Sequence, residues 1–503
     1  MTSKKKTIVI IGAGASGTIL AAQIIKRLSA NSQSNIKVFL VEKSGIFGPG
    51  LAYSTPLTSH ILNMRADTLG FPDDRPGHFA GWIKAENRYR SNMNVPETDY
   101  PPRSIYGDYL KYILKEALSD AALNGIDAEL VKGEVIDITC KNRCHDVLFA
   151  DGSAVKSDYT VIAPGNFPSA FLNELKGSKG YIPYPWPVSG ILDTVPRDAP
   201  VCILGSGLSA IDTFFTLMEN NHRGKVTFLS RRGFLPKVQG DFRKHEPEYL
   251  TAENIKKLLK GPEKNMPFDS IKELYFKEIE YAGTGSIDWL RVFNPDGTAP
   301  DILKKDIGKA EGGDIPCQRV LNSSGPLTGM IWRGLSIDDR FRFEMEYKTL
   351  WTVYRHPMPL VNARKICSAL GSGQLGIESG CMFVRTHKGK GFEIEVSTRL
   401  GVPFTIETPF LINATGQGLD VTKFDSPLIK RLLEKGILSP HPNGGIYVDY
   451  DSSMILNGDG NIINGLFALG EVTRGVHFFT NGIVPNMNTS KRIAEYIIED
   501  LKT

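Results

Sequence analysis

The sequence predicts an α/β protein with two dinucleotide-binding, Rossmann-like domains and a mainly helical insertion, and three observations carry that prediction. Residues 7–11 are a branched apolar run that leads at once into Gly12-Ala-Gly-Ala-Ser-Gly17. Residues 199–204 are a second such run, leading into Gly205-Ser-Gly-Leu-Ser-Ala210. Three further runs, VIAPG (161–165), LINATG (411–416) and LFALGE (466–471), read as strands ending in small-residue turns. The first two are placed where the chain can pass between domains, and the last where it returns to the first.

In the first fold, strand, glycine turn and a helix over residues 18–28 follow in the order that makes G-x-G-x-x-G specific. Gly12 permits the tight turn, Gly14 lets the backbone approach a pyrophosphate, and Gly17 lets helix and strand pack closely. The helix N-terminus then offers its unpaired N–H groups to the phosphates. A second strand, 37–41, ends at Glu42, whose carboxylate can accept from ribose hydroxyls; a polar loop at 29–35 accounts for the longer spacing. The plain alternative is a glycine turn with a surface glutamate.

In the second fold, Ala210 replaces the last glycine, which is allowed because close helix packing needs only a small side chain. The next strand, 226–229, runs into Ser230-Arg231-Arg232-Gly233. No acid occupies the ribose position. Two arginines there suit a 2′-phosphate and favour NADPH over NADH, against the alternative of solvated arginines after a strand. Two dinucleotide folds in one chain imply two dinucleotides, and a nicotinamide that delivers hydride beside a flavin that accepts it is the simplest pair.

Composition narrows the class further. Of 503 residues, 41% are apolar and 23% charged, the balance of an ordinary globular protein rather than a disordered one. Glycine, at 50 residues, is above its usual share without any Gly-X-Y period, which points to close backbone approaches. Lys and Arg number 59 and Asp and Glu 55, so the net charge of +4 carries no footprint for nucleic acid or a membrane. Six cysteines in so long a chain form no disulfide framework, and Cys140-x3-Cys144 lacks partners at zinc spacing, so neither a metal nor an oxidising compartment is expected. The basic start and apolar run resemble a signal peptide, but glycines interrupt the run and no apolar stretch reaches about 18 residues. A cytoplasmic location is expected.

The motifs together look like the two-dinucleotide flavoprotein superfamily, which includes the disulfide reductases and the class B flavin monooxygenases. Finer features, FGPGLAYST (47–55), ILNM (61–64), FPDD (71–74), PRSIYGDYL (102–110), NHRGKV (221–226), LSRRGFLP (229–236) and YRHP (354–357), resemble FAD/NAD(P)-binding proteins related to the lysine and ornithine N-hydroxylases. The resemblance spans nearly the whole chain. It implies FAD on Gly12, Gly14, Gly17 and Glu42, with Gly470 and Glu471 near the ribityl-phosphate end, where the superfamily more often has Asp. It implies NADP on Gly205, Gly207, Ala210, Arg231 and Arg232. Asn63 and Met64 would line the flavin ring, although an Ile-Leu-Asn-Met stretch is equally a core segment.

The domain plan follows from lengths. Residues 1–195 read as the first part of the FAD-binding domain and 414–503 as its return; 196–239 and 348–413 read as the NAD(P)-binding domain. Roughly 200 residues separate Gly205 from Asn413, whereas a domain of this kind needs about 120. The surplus is placed at 240–347, with helices near 251–259 and 270–281, as a cap and a source of substrate selectivity. Residues 129–158 alternate and turn at Asp151-Gly152, an antiparallel excursion; 381–384, 392–396 and 404–412 form a comparable set.

Residues that are missing also discriminate. A disulfide reductase needs two cysteines close in sequence near the flavin, and 43–139 contain none. The histidine motif that usually precedes the second fold in Baeyer–Villiger enzymes is absent from LKGSKGYIPYPWPVSG (175–190). N-hydroxylation lacks such a requirement: NADPH reduces FAD, oxygen adds at flavin C4a, and the lone pair of a neutral amine attacks the distal oxygen. The expected partners are therefore a small-molecule amine and molecular oxygen. His477 and Asn63 are the candidate catalytic residues, with His477 also readable as structural; His356 is a further histidine candidate that also fits a rigid turn, and Asn481 and Asn486 are candidate donors to the pyrimidine side of the flavin. The alternatives are an NADPH-dependent flavin reductase or oxidase that releases hydrogen peroxide, and a non-catalytic nucleotide or redox sensor.

Overall fold

A computed structural model describes residues 5–33, 35–71, 77–89, 99–141, 143–241, 243–259, 265–284, 292, 296–387, 389, 391–398 and 401–502. Pro72, Asp73 and Asp74 of the FPDD motif lie outside these residues, as do 285–291 and 293–295 of the insertion. The chain forms two compact units, one of residues 1–168 with 417–503 and one of 169–416. It thus crosses between them just after VIAPG and just after LINATG.

The first unit is built on a six-stranded sheet in the order Met454–Leu456, Ile462–Ala468, Tyr159–Ile162, Lys6–Ile11, Ile36–Glu42, Asp127–Lys132. All neighbours are parallel except the Met454–Leu456 edge. Residues 8–10 are fully buried because both faces of the sheet are covered: Ile8 and Ile10 pack with Leu20, Ile24, Tyr106, Tyr109, Ile493 and Ile497 of helices Ala15–Ala30, Arg103–Leu123 and Ile483–Asp500, and Val9 packs on the other face with Ile138 and Val147 of strands Val135–Lys141 and Cys144–Phe149. Such burial on both faces is why these strands read as continuous apolar runs rather than alternating ones.

The second unit repeats the plan. Its sheet runs Leu375–Ser379, Val226–Ser230, Val201–Leu204, Phe410–Asn413, Tyr181–Ile182, all parallel. Tyr181–Ile182 pairs with Phe410–Asn413, so 169–195, read from sequence with the first fold, packs in the second unit. Three antiparallel strands, Val135–Lys141, Cys144–Phe149 and Ala154–Ser157, precede Tyr159–Ile162; three more, Cys381–His387, Gly391–Ser397 and Phe404–Thr408, precede Phe410–Asn413. Both excursions occur where expected but are shorter, because 129–132 and 410–412 pair in parallel within the two main sheets. The α/β class with two Rossmann-like sheets and a helical insertion is the architecture observed.

The insertion is helical as expected, with Ala252–Lys257 capped by the Thr251 hydroxyl and Phe268–Ile279 following. Its later part does more than cap. Leu303 and Ala310 of helix Ala299–Glu311 join Val226, Phe228 and Ile366 in the core of the second sheet. Periodicity alone could not separate a covering helix of the sheet from one of an appended cap.

Candidate functional site

The first glycine turn has the geometry that the spacing calls for. Gly12 sits at φ +101°, and a Cβ there would overlap the carbonyl oxygen of Ala163 at the end of the neighbouring strand. A Cβ on Gly17 would overlap the carbonyl oxygen of Gly12. Gly14 is the N-cap of helix Ala15–Ala30 with no side-chain cap, so the helix end is left open to an anion. The resemblance implies that the GPGLAY loop passes close to the flavin. In the structure Gly50, at φ +59°, packs on this turn, where its Cβ would stand 2.9 Å from the Gly14 Cα.

Glu42 ends its strand as expected, and its carboxylate faces the turn. Oε2 accepts from the Ala13 backbone N–H at 3.0 Å, and Oε1 accepts from the N–H and hydroxyl of Ser44 at 3.0 and 2.9 Å. A carboxylate has about four acceptor sites, so one remains beyond these three bonds. The strand end and the turn are tied together before any ribose arrives. Asn63 and Met64 are half-buried beside the His60–Ile61 segment, which the Arg103 N–H and Nε hold through the carbonyls of His60 and Ile61. Met64 packs against the core of this unit.

The return strand Ile462–Ala468 ends at Gly470, φ +91° and ψ −154°, a conformation that L side chains rarely adopt. Glu471 is buried. Its Oε2 accepts from the Thr480 hydroxyl at 2.7 Å and Oε1 lies 3.6 Å from Arg474. The longer glutamate therefore reaches its own loop, a partner that a residue type alone does not reveal. His477 is also buried, with Nε2 3.3 Å from the Ser453 hydroxyl and its ring 5.3 Å from Tyr450. Burial, with help from Arg492, pushes its imidazole down to about 3, so the ring is neutral at ordinary pH. Phe478 follows at φ 61° and ψ −63°, closed by a Phe479 N–H bond to the His477 carbonyl at 2.7 Å. This γ-turn with positive φ is rare and strained in a non-glycine residue. Of the two nominated amides, Asn481 is exposed and Asn486 donates to the Thr480 carbonyl at 2.9 Å.

The second turn differs in one useful way. Gly205, at φ +112°, packs on the Ala414 carbonyl as Gly12 packs on Ala163, and Ala210 is fully buried. Gly207, by contrast, faces open space with φ −83° as N-cap of helix Leu208–Glu219. The Ser230 hydroxyl bonds the Ser206 hydroxyl at 2.8 Å and accepts the Gly233 N–H at 3.0 Å, which fixes the chain around the two arginines. Arg231 is exposed and Arg232 half-buried.

Three of the six cysteines are poor sources of thiolate. Burial pushes Cys140 up to about 11, and Cys202 and Cys317 up to about 12. Among the described residues no group of His, Cys, Asp and Glu side chains is arranged to hold a metal, and no helix is long and apolar enough to cross a membrane. His356 ends helix Lys348–Arg355 with its ring edge-on to Trp351 at 5.4 Å.

Residues 9–167, the first glycine turn through VIAPG, match the family model described as FAD-NAD(P)-binding. No curated protein matches the chain. Solved structures share the fold across the whole length. Ornithine hydroxylase from Pseudomonas aeruginosa aligns with a TM-score of 0.55 and 14% identity over 99% of both chains. L-lysine 6-monooxygenase from Pseudomonas syringae aligns at 0.54 and 15%, over 98% of this chain and 99% of that one. The bacillithiol disulfide reductase from Staphylococcus aureus aligns at 0.50 and 12%, over 99% of both. The family match thus covers the first glycine turn and its sheet as an FAD-NAD(P)-binding segment, and over its whole length the chain has the fold of these hydroxylase, monooxygenase and disulfide reductase structures.

Proposed function

We propose that the protein is an FAD-dependent, NADPH-using monooxygenase that hydroxylates the nitrogen of a small amine. The observation that carries the reading is the pair of glycine turns on separate sheets, one with an acid at the ribose position and one followed by two arginines. The first turn fits FAD: it leaves a helix end uncapped and keeps side chains off its own backbone. Among fold relatives, the ornithine and lysine hydroxylases point to an amine. The disulfide reductase is the competing precedent, and the elevated thiols argue against it.

FAD, when bound, supplies the oxygen activation; the chain supplies the rest. Gly14 and Gly50 leave room for the pyrophosphate, Glu42 orients the ribose, and Arg231 and Arg232 select the 2′-phosphate. Overall, amine, O2, NADPH and a proton give hydroxylamine, water and NADP+. His477 is buried and neutral, so its part is to hold the return loop through Ser453 rather than to exchange a proton at neutral pH. Amines incubated with the protein, NADPH and oxygen should yield a product 16 mass units heavier in step with NADPH consumption. Stoichiometric hydrogen peroxide with no such product across a broad amine panel would make the protein an oxidase, and no NADPH-driven bleaching of flavin would make it a sensor.

A further inference from the structure

We infer that Asn443 is a flavin-binding residue whose carboxamide pairs with the imide edge of the isoalloxazine ring. The inference rests on the FAD reading above. Asn443 is 6% exposed, and neither its Oδ1 nor its Nδ2 has a hydrogen-bond partner. Buried amides are normally satisfied, so a rigid one with both halves idle points to a missing ligand.

The surrounding backbone is rigid. Within His441-Pro442-Asn443-Gly444-Gly445, His441 Nδ1 accepts the Asn443 N–H at 3.1 Å and the His441 carbonyl accepts the Gly444 N–H at 2.9 Å. Outward, Gly445 donates to the Leu419 carbonyl, Gly475 to the Gly444 carbonyl and Ile446 to the Val472 carbonyl, each at 2.8 Å. A Cβ on Gly475 would overlap the His441 ring. The backbone that carries the buried amide is thus pinned from two directions. Two residues before Leu419, Gln417 leaves its buried Oε1 without a donor as well.

The pinned loop borders Val472, directly after the Gly470-Glu471 turn at the carboxyl end of the return strand, where ligands of such sheets bind. An amide presents one donor and one acceptor side by side in a plane. Phosphates only accept, so they would leave Oδ1 idle; an imide offers N–H beside C=O and satisfies both halves. Asn481 and Asn486, the amides nominated from sequence, are respectively exposed and already bonded.

The test uses Asn443→Leu in the full chain, stripped of flavin and titrated with FAD and with N3-methylated FAD. An amide idle without ligand should be replaceable by leucine of similar size, so the flavin-free variant should melt at or above the parent temperature. Its FAD dissociation constant should rise at least tenfold. The parent should discriminate strongly against N3-methylated FAD, and the variant should lose that discrimination. A variant that fails to fold, or that binds FAD like the parent, overturns the assignment, as does a parent indifferent to N3-methylation. A parent that binds no flavin at all would instead remove the FAD reading itself.

Discussion

Gly12 and Gly207 are the same residue type under opposite constraints. At Gly12 the positive φ and the Ala163 carbonyl leave no place for a side chain, so Gly12→Ala should cost at least about 1–3 kcal/mol from backbone strain alone and give little soluble, flavin-containing protein. At Gly207 the space is open, φ is ordinary and serine is a good N-cap. Gly207→Ser should therefore melt within a degree or two of the parent yet bind NADPH at least tenfold more weakly, because the new side chain meets the pyrophosphate. Unchanged NADPH affinity would place the nicotinamide cofactor elsewhere. His477 makes a residue-scale prediction about acid. Its folded value of about 3 lies below the usual histidine value near 6.5, so the unfolded chain binds the extra proton. The stabilising effect of a neutral ring is complete above about pH 6.5 and falls as pH drops toward 3. By pH 5 the loss amounts to about 2 kcal/mol. His477→Gln should flatten that part of the acid limb in urea denaturation, while His145 and His222, also lowered by burial, keep some slope in both proteins.

Two elements set their own tests. Cys140 and Cys144 belong to adjacent antiparallel strands but to different cross-strand pairs, Cys140 opposite His145 and Lys141 opposite Cys144. A Cys140→Ser, Cys144→Ser double variant should reduce its flavin with NADPH at the parental rate in anaerobic stopped flow. A large loss at full FAD content would revive thiol chemistry. In the insertion, Glu278 on helix Phe268–Ile279 is fully buried, with His245 Nε2 at 2.6 Å and backbone N–H groups of Glu248, Tyr249 and Leu250 between 2.7 and 3.2 Å. Burial pushes this carboxyl up, but the Leu250 N–H, the His245 ring and the Tyr249 and Glu248 N–H groups outweigh it and hold the group below its usual range. Glu278→Gln should speed amide exchange at 248–250 and destabilise that segment by about 1–3 kcal/mol. Unaltered exchange there would show that something other than the carboxylate pins the loop.

At the scale of the whole molecule, two dinucleotides should stabilise one chain separately. Each ligand at about a hundred times its dissociation constant adds roughly 2.7 kcal/mol. FAD and NADPH should thus each raise the melting temperature of flavin-free protein, and NADH should do so at least about tenfold less effectively, given that a charge-assisted bond is worth about 1.5–3 kcal/mol. Replacing both Arg231 and Arg232 should erase the preference and leave NADH binding as it was. Equal affinity for the two nucleotides in the parent would make the arginines ordinary surface groups.

The sequence by itself determined the two Rossmann-like sheets, both antiparallel excursions and the two glycine turns, because each is written in local chemistry. A strand buried on both faces must be continuously apolar, and a turn at positive φ must be glycine at Gly12 and Gly205. Only the tertiary structure decided what faces what. It placed Tyr181–Ile182 in the second sheet, drew Leu303 and Ala310 into its core, gave Glu471 to Thr480 and Arg474, and left the Asn443 amide unsatisfied. Those outcomes depend on residues far apart in sequence meeting in space, and neither periodicity nor a motif records which donor will reach which acceptor.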